Sequence, residues 1–144
     1  MKTNIRFATD ADIDWCMSQD FAIKKPEIMF RKIAQHEVMI AEAGDKPVGY
    51  LRMEYLWSKI PYMGVIEVAL SHQRQGIGKA LLQFLEDKVC AEGCEFLITS
   101  AESIEPEAQA WHRQMGFVEC GVVSGLNPKN VDELFFKKVI WPWN

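Results

Sequence analysis

The chain has 144 residues, 49% hydrophobic and 25% charged, a balance that fits one ordinary globular domain and excludes a disordered or fibrous chain. No apolar run approaches the ~18 residues of a membrane span and the start lacks a signal-peptide core, so a cytoplasmic protein without membrane attachment is expected. The net charge of −4, with no dense cluster of Lys and Arg, argues against a nucleic-acid partner but leaves room for a small anionic ligand.

Residues 4–8 alternate polar and apolar and predict a first strand. Thr9-Asp10-Ala11-Asp12 has the capping-box spacing, which predicts a helix through residue 19. A second helix is expected from Pro26, where proline is tolerated in the first turn, with Ile28, Met29 and Ile33 able to share a face. Residues 38–43 and 48–57 read as the two strands of a hairpin, with Ala43-Gly44-Asp45-Lys46-Pro47 of turn composition between them. Residues 62–70 read as a fourth strand, apolar on both faces except for Glu67 and therefore covered on both sides.

The second half alternates helix and strand. Residues 76–91 place Ile77, Leu81, Phe84, Leu85 and Val89 on one helical face. A short buried strand at 96–99, a helix at 106–115 and strands at 117–123 and 133–139 follow. This order predicts an α/β (α+β) fold, a mixed sheet of about seven strands with four helices and a right-handed crossover. With no linker or repeat, residues 1–144 read as a single domain. Cys16, Cys90, Cys94 and Cys120 form no Cys-x-x-Cys pair; buried structural thiols are expected, and no metal.

The stretch richest in chemistry is Val68-Ala69-Leu70-Ser71-His72-Gln73-Arg74-Gln75-Gly76-Ile77-Gly78-Lys79. It leads from a strand through a polar turn into a helix, with two glycines at the helix start. First-turn amides have no intrahelical partner and lie at the positive end of the helix dipole, so they bind phosphate oxygens. Glycine there admits the anion to the backbone, and Arg74 and Lys79 add cations. The bland alternative is an ordinary tight connection. A nucleotide P-loop is excluded because Ala80 stands where a metal-binding hydroxyl is needed and the upstream glycine is missing; a dinucleotide fingerprint is excluded because the third glycine is absent.

Gln73-Arg74-Gln75-Gly76-Ile77-Gly78 resembles the Gln/Arg-x-x-Gly-x-Gly/Ala motif of the GNAT superfamily of N-acetyltransferases. Ala108-Gln109-Ala110-Trp111-His112-Arg113-Gln114-Met115-Gly116-Phe117 resembles its second signature, and Arg6 to Asp12 its usual opening. The resemblance implies a mostly antiparallel sheet whose fourth and fifth strands splay to admit the pantetheine arm of acetyl-CoA. It also implies that the main chain of Val68, Ala69 and Leu70 meets that arm, while Gln73, Arg74, Gln75, Gly76, Ile77, Gly78 and Lys79 hold the pyrophosphate. A homodimer is compatible with it.

Acetyl transfer to an amine needs a proton acceptor, because an alkyl amine of pKa near 10 is only about 0.1% neutral at pH 7. Glu67 is the candidate base as the lone ionisable residue of its strand; the alternative is a paired structural carboxylate. Glu102 is a second candidate. Where relatives often carry an acid tyrosine on the second signature helix, this chain has His112, which either protonates the departing thiolate or is a satisfied histidine at the core edge. Glu105 replaces a common asparagine, so a donor to the cofactor arm is lost. Trp57, Tyr55 and Tyr62 belong near the acceptor end or in the core, and Trp141 and Trp143 to the tail. The expected activity is direct acetyl transfer from acetyl-CoA to a primary amine of a small molecule or protein, since no nucleophile with its base is visible. A non-catalytic acyl-CoA sensor is the rival.

Overall fold

The computed structural model describes residues 2–140, with 129 described by its backbone alone; Trp141 and Trp143 lie outside the described residues. Seven strands and four helices follow in the order β1 (Thr3–Phe7), α1 (Ile13–Gln19), α2 (Pro26–Ala34), β2 (Val38–Ala43), β3 (Lys46–Leu56), β4 (Ile60–Val68), α3 (Ile77–Ala91), β5 (Phe96–Glu102), α4 (Pro106–Gln114), β6 (Val118–Val123) and β7 (Glu133–Val139). The sheet order is β1-β2-β3-β4-β5-β7-β6. It is mixed: β1 and β2, β2 and β3, β5 and β7, and β6 and β7 pair antiparallel, whereas β4 and β5 run parallel. The described β4–β5 register covers only Tyr62↔Ile98 and Met63↔Thr99, a short pairing that fits the expected splay.

Most strand ends lie within two residues of the sequence expectation, and the fourth and fifth strands carry the differences that bear on the site. The fourth strand spans Ile60–Val68 instead of 62–70, because Ala69 N–H still donates to Val48 O (2.8 Å) but its own carbonyl accepts from His72 N–H (2.8 Å) and starts a 3-10 turn. Nor is that strand covered on both faces, since Glu67 is exposed. The fifth strand runs to Glu102 instead of stopping at 99; its register with β7 continues through Glu102↔Glu133.

Two compact units divide the chain. The first comprises the chain up to Glu54 together with Val65–Leu85. Its apolar cluster joins Cys16, Ile23, Met29 and Ile33 to Val38, Ile40 and Tyr50 of the sheet, with Ile28 packed against it, so α2 uses its expected apolar positions. Tyr50 and Gly49 alternate, and on Gly49's side α3 packs so closely that an added Cβ would stand 3.0 Å from Leu81 Cδ1 and 3.2 Å from Ile77 Cγ2. Ahead of α1, Thr9 N–H donates to Asp12 Oδ2 (2.7 Å), and Arg6 pairs with Asp12 and Glu42.

The second unit comprises Tyr55–Gly64 and the chain from Glu86 on. Strand β5 alternates with a period of two: Leu97, Thr99 and Ala101 are buried, while Phe96, Ile98, Ser100 and Glu102 are half-buried. By register, Phe135, Lys137 and Val139 of β7 share the less buried face with that second set. Phe136 and Lys138 lie on the other face, where Lys138 Nζ bonds Glu86 Oε2 at 2.7 Å.

The cysteines correct one expectation. All are free thiols, but only Cys16 is buried; Cys90 and Cys94 are half-buried and Cys120 is exposed on β6. Burial pushes the Cys16 thiol up to about 12. No helix among the described residues is long and apolar enough to cross a membrane.

Candidate active site

In the first unit the chain leaves β4 through the 3-10 turn Leu70–His72 and enters α3 at Ile77. Ile77 is buried and anchors the helix, whereas Gln73, Arg74, Gln75, Gly76 and Lys79 are exposed and Gly78 is half-buried. The connection is built by left-handed residues at Arg74 (φ 63°) and Gly76 (φ 80°), a conformation that glycine adopts without steric cost. A Cβ placed on Gly76 would meet nothing within 4 Å. Ala80 N–H donates to Gly76 O (3.0 Å) and closes the first helical turn. The amides of Ile77, Gly78 and Lys79 therefore lack an intrahelical carbonyl, whereas Gln73 N–H donates to Leu70 O (3.5 Å). Unpaired amides, open space at Gly76 and two exposed cations together fit a diphosphate.

Upstream, Leu70 is 87% exposed and Ala69 is exposed, while Val68 is half-buried. The Val68 carbonyl accepts from Gln73 Nε2 (3.0 Å), and the Ala69 amide is used by β3. The main-chain groups expected to meet the arm therefore already have partners at Val68 O and Ala69 N. Glu67 is exposed, and desolvation followed by the negative charge of Asp20 raises its carboxyl above the ordinary carboxylate value.

Sequence reading missed Asp20. It lies just after α1, and its buried carboxylate accepts from Arg52 Nε (2.7 Å), Tyr50 Oη (2.7 Å) and Ala22 N–H (3.2 Å). Burial works to raise its pKa, but the Arg52 and Tyr50 hydrogen bonds and the Arg52 charge outweigh it and leave the carboxyl lowered. A signal existed: Arg52 is two residues from Tyr50 and so faces the same side of a core strand, where a charge needs a partner.

In the second unit His112 is 5% exposed, its ring set among Trp111, Phe117 and Phe136. Nε2 lies 3.3 Å from Ser100 O; a carbonyl only accepts, so Nε2 carries the proton. Nδ1 is buried without a hydrogen-bond partner among the described residues. Burial lowers the pKa of this imidazole, and the bond to Ser100 offsets part of that effect. Glu105 does not donate: its Oε1 accepts from Glu102 N–H at 3.2 Å. Glu102 is half-buried at the end of β5.

The three aromatic residues separate. Trp57 sits at the β3–β4 turn with φ 53° and is 81% exposed. Tyr55 Oη meets Glu92 (2.5 Å) and Lys88 Nζ (2.7 Å). Tyr62 Oη lies 2.6 Å from Ser100 Oγ, which donates to Glu133 Oε2, also at 2.6 Å. No sequence signal marks Glu133, since its partner lies on another strand. Among the described residues no group of His, Cys, Asp and Glu is arranged to hold a metal ion.

The sequence model of the acetyltransferase (GNAT) family matches residues 9–117. Among curated proteins none matches. Similar solved structures include a GNAT-family acetyltransferase of Bacillus cereus ATCC 10987, with 17% identity, TM-score 0.79 and coverage of 96% of this chain and 98% of that one. A ribosomal-protein-alanine N-acetyltransferase of Brucella melitensis has 24% identity and TM-score 0.80, covering 94% and 99%. The Salmonella typhimurium protein yncA, solved with its cofactor acetyl-CoA, has 17% identity and TM-score 0.79, covering 97% and 95%.

Proposed function

The chain belongs to the GNAT family of acetyltransferases, and on that premise we propose that it moves the acetyl group of acetyl-CoA directly to a primary amine of a small molecule or protein. The turn into α3 carries this reading: left-handed Gly76, with open space where a side chain would be, exposes the orphan amides of a helix start between Arg74 and Lys79. Gln73, Arg74, Gln75, Gly76, Ile77, Gly78 and Lys79 would hold the pyrophosphate, and the main chain of Val68, Ala69 and Leu70 the pantetheine arm. Acetyl-CoA, when bound, supplies an activated acyl carbon with a thiolate leaving group.

Glu67 is assigned as the base that takes the proton of the incoming ammonium, directly or through water. Its exposure gives solvent and substrate access, and its raised pKa brings it nearer the operating range of a base. For His112, the committed Nε2 proton, the aromatic surroundings and the lowered pKa favour the core-edge role over thiolate protonation. Direct transfer is favoured because neither Cys94 nor Cys16 is set up as a nucleophile: desolvation and then the Glu92 charge raise the Cys94 thiol, and burial raises that of Cys16. The name of the Brucella relative makes peptides beginning with alanine a natural first acceptor to try.

The test is calorimetric titration with acetyl-CoA, then thiol release across an amine panel that includes such peptides. Binding with amine-dependent thiol release is the expected result. Binding without release from any amine would favour an acyl-CoA sensor.

A further inference from the structure

Within the first unit, Glu67 of β4 shares a face of the sheet with Tyr50 and Arg52 of β3. Val65 packs against the apolar cluster that holds Tyr50, and side chains alternate along a strand, so Glu67, two residues on, belongs to the same face. The bond from Ala69 N–H to Val48 O (2.8 Å) lays the end of β4 along β3, and Glu67 and Tyr50 each stand two residues from it. On that face the Asp20 carboxylate accepts from Tyr50 Oη and Arg52 Nε at 2.7 Å each and from Arg52 Nη2 at 3.3 Å.

The charges gathered there do not cancel. Arg52 is divided between two carboxylates, with Nε on Asp20 and Nη1 on Glu54 Oε1 at 2.5 Å, so one negative charge is left over. Glu67 forms no ion pair with Lys or Arg among the described residues. The Asp20 side chain is 0% exposed, and a buried charge is screened little by water and salt. A carboxylate next to such a charge holds a proton more tightly than it does in water; in agreement, desolvation and then the Asp20 charge raise the Glu67 carboxyl. Asp20 does not relieve the crowding by taking up a proton: burial favours that, but the bonds from Arg52 and Tyr50 and the Arg52 charge outweigh it. The other titratable groups around the face are Cys16 on α1 and Tyr50 and Glu54 on β3, with Lys24 and Lys25 exposed further along the segment after Asp20.

We propose that Asp20 is a positioning residue for proton transfer: its fixed charge, only partly cancelled by Arg52, keeps the neighbouring Glu67 carboxylate basic enough to take the proton of the incoming ammonium. The inference rests on the acetyltransferase reading and on Glu67 as its base. In the step concerned, the N–H bond of the ammonium breaks and its proton moves to a Glu67 carboxylate oxygen. The nitrogen keeps the electron pair, and Glu67 loses the charge that Asp20 repels. Asp20 exchanges no proton itself.

The experiment follows the Glu67 carboxyl by carbon-13 NMR titration, with Glu67→Gln to assign its signal, in the wild type, Asp20→Asn, Glu54→Gln and Tyr50→Phe. Melting temperature and the pH dependence of kcat/KM for the acceptor are measured beside it. In the wild type Glu67 titrates above the ordinary glutamate value. Asp20→Asn lowers its midpoint by about half a pH unit or more, and the acid limb of kcat/KM moves down with it. Glu54→Gln, at a side chain that is 40% exposed, lowers the midpoint by less, because Arg52 is then left to Asp20 alone; it decides the matter if Asp20→Asn does not fold. Tyr50→Phe removes a neutral donor and keeps the charge, so it does not lower the midpoint, whatever it does to melting temperature. A wild-type midpoint at the ordinary value, an unmoved midpoint in the charge variants, or an equal fall in Tyr50→Phe would overturn the proposal while leaving acetyl transfer in place. A midpoint that falls while the acid limb stays would remove Glu67 as the base and the role of Asp20 with it. A wild-type protein that binds acetyl-CoA but acetylates no amine would overturn the acetyltransferase reading, a failure that the NMR midpoints do not register.

Discussion

His112 holds its Nε2 proton against the Ser100 carbonyl and its Nδ1 in a buried position with no partner, while burial lowers its pKa. As pH falls, the unfolded chain therefore protonates at this residue before the folded one does. Its contribution to stability is complete above the ordinary histidine pKa of about 6.5 and declines below it, toward the folded value. His112→Phe, which keeps an aromatic ring in an aromatic setting, should flatten that slope in denaturation curves taken from pH 7 down to 5. Turnover per folded molecule should change less than about tenfold; a loss of ~100-fold would restore the acid role. Glu67 calls for a different test, since its carboxyl is exposed and its pKa raised. Glu67→Gln should leave acetyl-CoA affinity unchanged and lower acetyl transfer, with activity recovering as pH approaches the acceptor's pKa. Wild-type turnover and pH profile in this variant would make Glu102 or solvent the base.

At the scale of elements, the proposed function gives acetyl-CoA binding to the connection from β4 into α3. Gly76→Ala adds only a methyl group to open space at φ 80°, so it should cost about 1 kcal/mol through backbone strain. Gly76→Glu adds a negative charge where the phosphates would sit and should abolish binding in calorimetry while the chain stays folded. The β3 pair of Tyr50 and Arg52 with Asp20 anchors the segment after α1. Arg52→Met leaves Asp20 buried without its cation and should destabilise by roughly 3–5 kcal/mol in urea denaturation. Because the Asp20 carboxyl is lowered in the folded chain, its stabilisation is full above the unfolded value near ~3.9 and lost as pH falls through the folded one. The turn into α3 was legible in sequence because its glycines and helix start are neighbours along the chain. The ends of β4 and β5 were not: Ala69 leaves the strand by bonding His72, and β5 is extended by β7, 31 residues further on at Glu102↔Glu133. Asp20 escaped notice for the same reason, since its partners Tyr50 and Arg52 lie 30 and 32 residues further on.

At the scale of the molecule, the family match over residues 9–117 and fold-level likeness to acetyltransferases agree with a sequence pattern read in order along the chain. The acceptor is the part that the pattern does not encode, because two glycines and a helix start recognise a phosphate and say nothing about an amine. The central claim is therefore tested by the reaction itself. Purified protein is mixed with acetyl-CoA and chemically distinct amines, including a peptide with an N-terminal alanine, and free thiol and acetylated amine are measured together. The account predicts that one class of amine yields thiol and acetylamine in equal amounts, and that Gly76→Glu yields neither. Acetyl-CoA that binds at the turn yet gives no acetylated amine from any member of the panel would contradict it.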